Sequence, residues 1–144
     1  MARPMSRLED EAALRATAEL YAAGADRRDK ALWARILTED CVLEGPHFRV
    51  EGRDANLANI DLLERMFLKT QHRVHNQMVT VDGDTAEGET YSTADHLSEA
   101  DGERRLLCGT IRYQDKWRRE GGEWRFSHRR LIVDWEETRV IGHV

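Results

Sequence analysis

The spacing of apolar positions in this chain changes at residue 70. Before it, apolar side chains recur every three or four residues: Leu14, Ala18, Tyr21 and Ala25, then Trp33, Ile36 and Leu37, then Leu57, Ile60, Leu63 and Phe67. That is the stripe of a helix packed on one side. The spacing predicts helices over 11–25, 30–37 and 54–68. Ser6-Arg-Leu-Glu9 fits a capping box for the first. Asp29 and Asp54 stand where N-caps of the second and third belong. Short strands are expected at 41–43 and 48–50, around the Gly45-Pro46 turn.

From residue 70 the period is two, and strands are expected over 70–81, 85–98, 104–118 and 123–135. Asp82-Gly83-Asp84, Ala100-Asp101-Gly102 and Glu120-Gly121-Gly122 separate them as turns. Helices first and an antiparallel meander afterwards predict an α+β layer architecture. Strands this long are expected to twist and curl, leaving a concave face for the helices to cover.

Composition narrows the class. At 144 residues, with 40% apolar and 34% charged residues, the chain suits a single globular domain spanning 1–144. No apolar run approaches the roughly 20 residues of a membrane helix, and the N-terminus lacks an apolar signal core. A cytoplasmic protein with no membrane partner is expected. A net charge of −5 disfavours nucleic acid. The sign is uneven, since 104–130 holds nine Arg/Lys against three Asp/Glu. That segment reads as solvated strand faces or as an anion site. Cys41 and Cys108 have no metal-ligand spacing and read as small buried hydrophobes. No metal site, phosphate loop or nucleophile elbow is present in the sequence.

Two residues carry the candidate chemistry. Asp26 ends the first helix in Tyr21-Ala-Ala-Gly-Ala-Asp26-Arg-Arg-Asp29, and His72 opens the first long strand in Thr70-Gln-His72-Arg-Val-His75. A carboxylate at a helix C-terminus meets an unfavourable dipole, which argues for function over stability. Paired, a carboxylate and an imidazole make a general base that works near neutral pH. Strand parity puts Thr70, Val74, Asn76 and Met78 on the face of His72, and His75 on the other. His96 shares a face with Thr90, Ser92 and Ala94, as a pocket wall or a satisfied histidine. Tyr113 shares one with Gly109, Ile111 and Trp117, as core or as a hydrogen-bond donor to substrate. Tyr21 and Trp33, on the inner faces of the first two helices, are open to the same two readings. His128 and His143 have no evident partner.

The order of elements, with Gly109-Thr, Tyr113 and Trp117-Arg-Arg-Glu-Gly-Gly-Glu-Trp124-Arg-Phe126 near the end, resembles the SnoaL-like branch of the nuclear-transport-factor-two-like superfamily. The resemblance covers about residues 8–135. Tyr21, Asp26 and Asp29, Thr70-Gln71-His72 and His96 are similar to the pattern of its scytalone dehydratase-like members. It implies a cone-shaped α+β barrel of the cystatin-like kind, three helices on a curled antiparallel sheet, with an apolar pocket between them. It also implies that Asp26 and His72 form a proton-abstracting dyad with His96 nearby, and the faces they share put Tyr113, Tyr21 and Trp33 as further candidates for contact with the substrate. The expected activity is a cofactor-independent lyase or isomerase acting on a small, mostly apolar, oxygenated substrate. The same fold also serves as a non-catalytic ligand-binding or accessory subunit. A homo-oligomer, trimer or dimer, is expected. Ala25 stands where those dehydratases have a tyrosine, so a different substrate is expected.

Overall fold

A computed structural model describes residues 6–142. Its elements are α1 (Arg7–Asp26), α2 (Lys30–Ile36), β1 (Leu37–Gly45), β2 (Phe48–Glu51), α3 (Arg53–Met66), β3 (Lys69–Asp82), β4 (Thr85–Ala100), β5 (Glu103–Glu120) and β6 (Glu123–Ile141). The capping box forms as expected: Ser6 Oγ accepts from Glu9 N, and Ser6 N donates to the Glu9 carboxylate. Asp29 caps α2 through the amides of Ala31 and Leu32. Asp54 does not cap α3. Gly52 holds that position at φ 92°, where an aspartate would be strained, and Asp54 falls in the first turn.

The strands form one open sheet in the order β2-β1-β6-β5-β4-β3. The meander β3 to β6 is antiparallel, as the period and turns require. The β1–β2 hairpin is added beside β6, and β1 runs parallel to it. The sheet is therefore mixed. It keeps two edges, β2 and β3, and does not close into a barrel. The last two strands run longer than expected, β6 on to Ile141, because each supplies the other's ladder partners well past Trp135.

Helices cover one face of the sheet. Leu14, Ala18 and Ala25 of α1, Trp33 and Ile36 of α2 and Ile60 of α3 bury against Leu37, Cys41, Trp117, Trp124 and Phe126. Buried polar groups in this layer are satisfied. Trp117 Nε1 donates to Thr17 Oγ1, and Trp124 Nε1 donates to Asp10 Oδ1. Asn56 Nδ2, wholly buried, lies within bonding distance of the carbonyls of Cys41, Val50 and Gly52, and so ties α3 to the hairpin. Cys41 and Cys108 are free thiols. Cys41 is buried, whereas Cys108 is only half-buried. No described helix is long and apolar enough to cross a membrane.

The basic run is neutralised by carboxylates both outside and inside it. Its eight arginines, 104, 105, 112, 118, 119, 125, 129 and 130, each lie within ion-pair distance of a carboxylate. Arg112 with Asp134 and Arg118 with Asp40 are examples. Seven of the eight are on exposed or half-buried strand faces as expected, and Arg129 is buried. His128 finds a partner in Glu44, at 3.2 Å. His143 lies outside the described residues.

Candidate active site

The last residue of α1 meets the start of β3, an edge strand of the sheet. Asp26 Oδ1 stands 2.6 Å from His72 Nδ1. Its Oδ2 accepts the His72 backbone N–H at 2.8 Å, and its Oδ1 accepts the Thr70 hydroxyl at 3.0 Å. A carboxylate that would face an unfavourable dipole alone is thus held by three donors from β3. The side chains of His72 and Asp26 are 10% and 21% exposed. Both open onto a groove of about 510 Å³ between α1 and β3.

Strand alternation explains why both contacts come from one segment. Thr70 and His72 project to the same face of β3, and Gln71 and Arg73 to the other. His75 points away, as parity requires, and its Nε2 lies 2.7 Å from Thr93 Oγ1. Beyond it the alternation reverses. The β3–β4 register shifts between Val74 and Gln77, so Gln77, Val79 and Val81 become the half-buried set. Asn76 and Met78, expected beside His72, are exposed instead. A bulge adds one residue and reverses every later side chain.

His72 pairs in register with Ala94, and Thr70 with His96. The small Ala94 leaves His96 next to His72, with ring centroids 5.5 Å apart, and Phe67 covers His96 from the end of α3 at 4.8 Å. His96 Nδ1 is buried and has no hydrogen-bond partner. Burial, and then the neighbouring His72, push the His96 pKa below its ordinary value. His96 is therefore a neutral imidazole beside the dyad.

Tyr113 lies deeper, edge-on to Tyr21 at 5.9 Å. Tyr21 stacks on Trp33 at 4.5 Å, and Trp33 Nε1 donates to the Tyr21 carbonyl. Trp33 is 3% exposed and packs as core. Burial raises the pKa of both tyrosines, so both stay protonated phenols. Among the sequence-predicted residues, Asp26, His72 and His96 thus meet at one end, and Tyr113, Tyr21 and Trp33 form an aromatic wall.

A buried ion pair beneath that wall escaped the sequence reading. Arg129 Nε and Nη2 donate to the two oxygens of Asp115 at 2.7 and 3.1 Å, and both residues are 2% exposed. Thr90 Oγ1 donates to Asp115, and Gln77 Nε2 donates to Thr90. The guanidinium lies over the rings of Tyr113, Tyr21 and Phe126, at 3.7, 4.4 and 4.2 Å. Asp115 was legible, since it shares parity with Tyr113 and Trp117. Arg129 was not, because the register shift opposite Lys116–Trp117 hides its phase. Among the described residues, no group of three or more His, Cys, Asp or Glu side chains is arranged to hold a metal ion.

Similarity to known proteins agrees with this architecture. No protein of curated function matches the chain. Solved structures do. A variant of Rv3472, a protein of unknown function from Mycobacterium tuberculosis, is 27% identical over 92% of this chain and 78% of its own, with a TM-score of 0.77. A provisionally named scytalone dehydratase from Novosphingobium aromaticivorans is 24% identical over 95% and 90%, at 0.79. The hexachlorocyclohexane dehydrochlorinase LinA-type3 from Novosphingobium barchaimii is 17% identical over 96% and 94%, at 0.80. The family model described as a SnoaL-like domain matches residues 6–130, nearly the whole described chain. With helices, sheet order and sequence match in agreement, the chain belongs to the SnoaL-like domain family of the nuclear-transport-factor-two-like superfamily.

Proposed function

We infer that the protein is a cofactor-independent lyase or isomerase whose general base is His72, oriented by Asp26. The observation that carries this reading is the 2.6 Å contact between His72 Nδ1 and Asp26 Oδ1. A carboxylate accepts, so the proton between them belongs to Nδ1 and the lone pair lies on Nε2. Nε2 then takes a proton from a carbon made acidic by a neighbouring carbonyl or leaving group. Asp26 stabilises the imidazolium that forms. His96, neutral and 5.5 Å from His72 between ring centroids, is the group proposed to hold the oxygen that gains charge or departs. Tyr113 is the second candidate for that role. The names of the dehydrochlorinase and dehydratase neighbours support elimination chemistry without a cofactor. The substrate proposed is small, mostly apolar and oxygenated, and the working form proposed is a homo-oligomer.

The test is a screen of small hydroxy-ketones and cyclic alcohols in D₂O, read by NMR for product and for deuterium at the carbon next to the carbonyl. Product or exchange that disappears in His72→Ala supports the reading. Activity retained in that variant overturns it. One observation favours a second reading, a ligand-binding or accessory subunit. Tyr21 contacts Trp33, Tyr113 and Phe126, the rings of Tyr21, Tyr113 and Phe126 lie against Arg129, and together they fill part of the interior. Binding of these compounds without turnover or exchange would select it.

A further inference from the structure

The turn after α1 holds a residue that reaches back to the dyad. Arg27 N donates to the Ala23 carbonyl and Asp29 N to the Gly24 carbonyl, which closes the helix end tightly. Between them Arg28 takes φ 54°, the left-handed region that a non-glycine residue adopts only under constraint. That conformation turns its side chain across the end of α1 towards β3. Arg28 Nη1 donates to the Ala25 carbonyl at 2.5 Å and to Thr70 Oγ1 at 2.8 Å. Thr70 Oγ1 lies 3.0 Å from Asp26 Oδ1, the oxygen that also faces His72 Nδ1.

The hydrogen count sets the direction of this chain. A guanidinium has only donors. Thr70 Oγ1 must therefore accept from Arg28, and its single hydrogen is free for Asp26. Oδ1 then receives two donors, the Thr70 hydroxyl and the His72 ring, and Oδ2 receives the His72 backbone amide. Every acceptor direction that matters for orientation is filled by a donor from β3. Hydrogen bonds in a chain polarise one another, so a cation at its head strengthens the hydroxyl as a donor.

We propose that Arg28 is a positioning residue of the dyad, acting through the Thr70 hydroxyl to fix the Asp26 carboxylate and so the proton on His72 Nδ1. It touches neither substrate nor the reacting atoms. The proposal rests on the reading of Asp26 and His72 as a general base. It adds that the strength of the Asp26–His72 hydrogen bond is set from outside the pair, because Thr70 competes with the imidazole for one oxygen.

The experiment reads the His72 Nδ1–H proton by NMR in the full chain at one fixed pH, assigned by its loss in His72→Gln. Thr70→Val removes the competing donor. The remaining Asp26–His72 bond then strengthens and the proton signal moves to lower field. Arg28→Met moves it the same way by less, and Arg28→Lys restores the original position. In the Thr70→Val background, Arg28→Met adds no further displacement. An unmoved signal in Arg28→Met overturns the proposal and leaves Arg28 as a plain cap on the Ala25 carbonyl. An equal displacement with and without the Thr70 hydroxyl overturns it too, since Arg28 would then act by its field alone. Where methionine at 28 prevents folding, Arg28→Gln enters the same cycle and is judged by the same comparison. Ring ¹⁵N shifts that place the His72 proton on Nε2 in the wild-type protein refute the dyad itself, so the two failures are told apart.

Discussion

Asp26 grips His72 at two points, with one oxygen 2.6 Å from the ring Nδ1 and the other 2.8 Å from the backbone nitrogen of the same residue. Two bonds from one carboxylate to one residue fix both the rotamer and the approach of the ring. A carboxylate bonded only to the ring would let the pair rotate together. This geometry joins the end of α1 to the start of β3, two segments that α2, the hairpin and α3 separate in sequence.

Loss of either member of the pair should remove catalysis while leaving the fold. His72→Ala and Asp26→Asn should each lower kcat/KM by about 10²–10⁴ on any substrate found, the usual contribution of a positioned base. The double variant should match His72→Ala alone, because the two act as one unit. Far-UV circular dichroism and kcat/KM on the same preparations check this. Additive losses would mean that the residues act separately.

Asp115→Ala should destabilise strongly. It leaves Arg129 charged, buried and without its partner, a change that costs about 3–5 kcal/mol when a buried pair is broken from one side. Urea denaturation monitored by tryptophan fluorescence measures it. A loss below about 1 kcal/mol would show that water or Tyr113 takes over from Asp115.

Gly88→Ala should destabilise by about 1–3 kcal/mol, the usual cost of overpacking. A Cβ added there would lie 2.0 Å from the carbonyl oxygen of Met78 on the neighbouring strand. That obstacle is backbone, so no side-chain rotation relieves it. Gly83 is the contrasting case. A Cβ there would meet open space, but φ is 60°, so strain alone opposes a side chain. Thermal unfolding of the two alanine variants compares them.

The buried His96 makes stability depend on pH. Its folded-state pKa lies below the ordinary 6.5, chiefly through burial and then through His72. Below pH 6.5 the unfolded chain therefore binds a proton that the folded chain refuses. Stability is full above 6.5 and falls as pH drops from there towards the lower folded value. His96→Gln should flatten that part of the curve. Denaturation midpoints from neutral to mildly acidic pH, in wild type and variant, provide the check, and identical slopes would contradict it.

Trp135 should report the oligomer. The other three tryptophans, 33, 117 and 124, are buried, whereas Trp135 is 66% exposed. It stands opposite Thr110 on the sheet face away from the helices. An indole left there is the contact expected of a second copy. Trp135→Glu should lower the mass seen by light scattering at micromolar concentration. An unchanged mass, or a monomeric wild type, would rule out this face.

The layer order is legible from local signals along the chain. The change of period at residue 70, the glycine turns and the Ser6 and Asp29 caps are local signals, and each acts through its own backbone. The Asp26 and His72 positions were legible through their resemblance to the family pattern at Tyr21–Asp29 and Thr70–His72, since an aspartate at a helix end or a histidine on a strand is not distinctive by itself. Other features arise from contacts between segments. The bulge after Val74 put Asn76 and Met78 outside, since one inserted residue inverts a period of two. The parallel seat of β1 beside β6 depends on a pairing that no local pattern encodes. Asp115 and Arg129 face each other across β5 and β6 only because the register shifts beside them, and the Arg28–Thr70–Asp26 chain joins a helix end to a strand some 42 residues away, which only packing brings within hydrogen-bond reach.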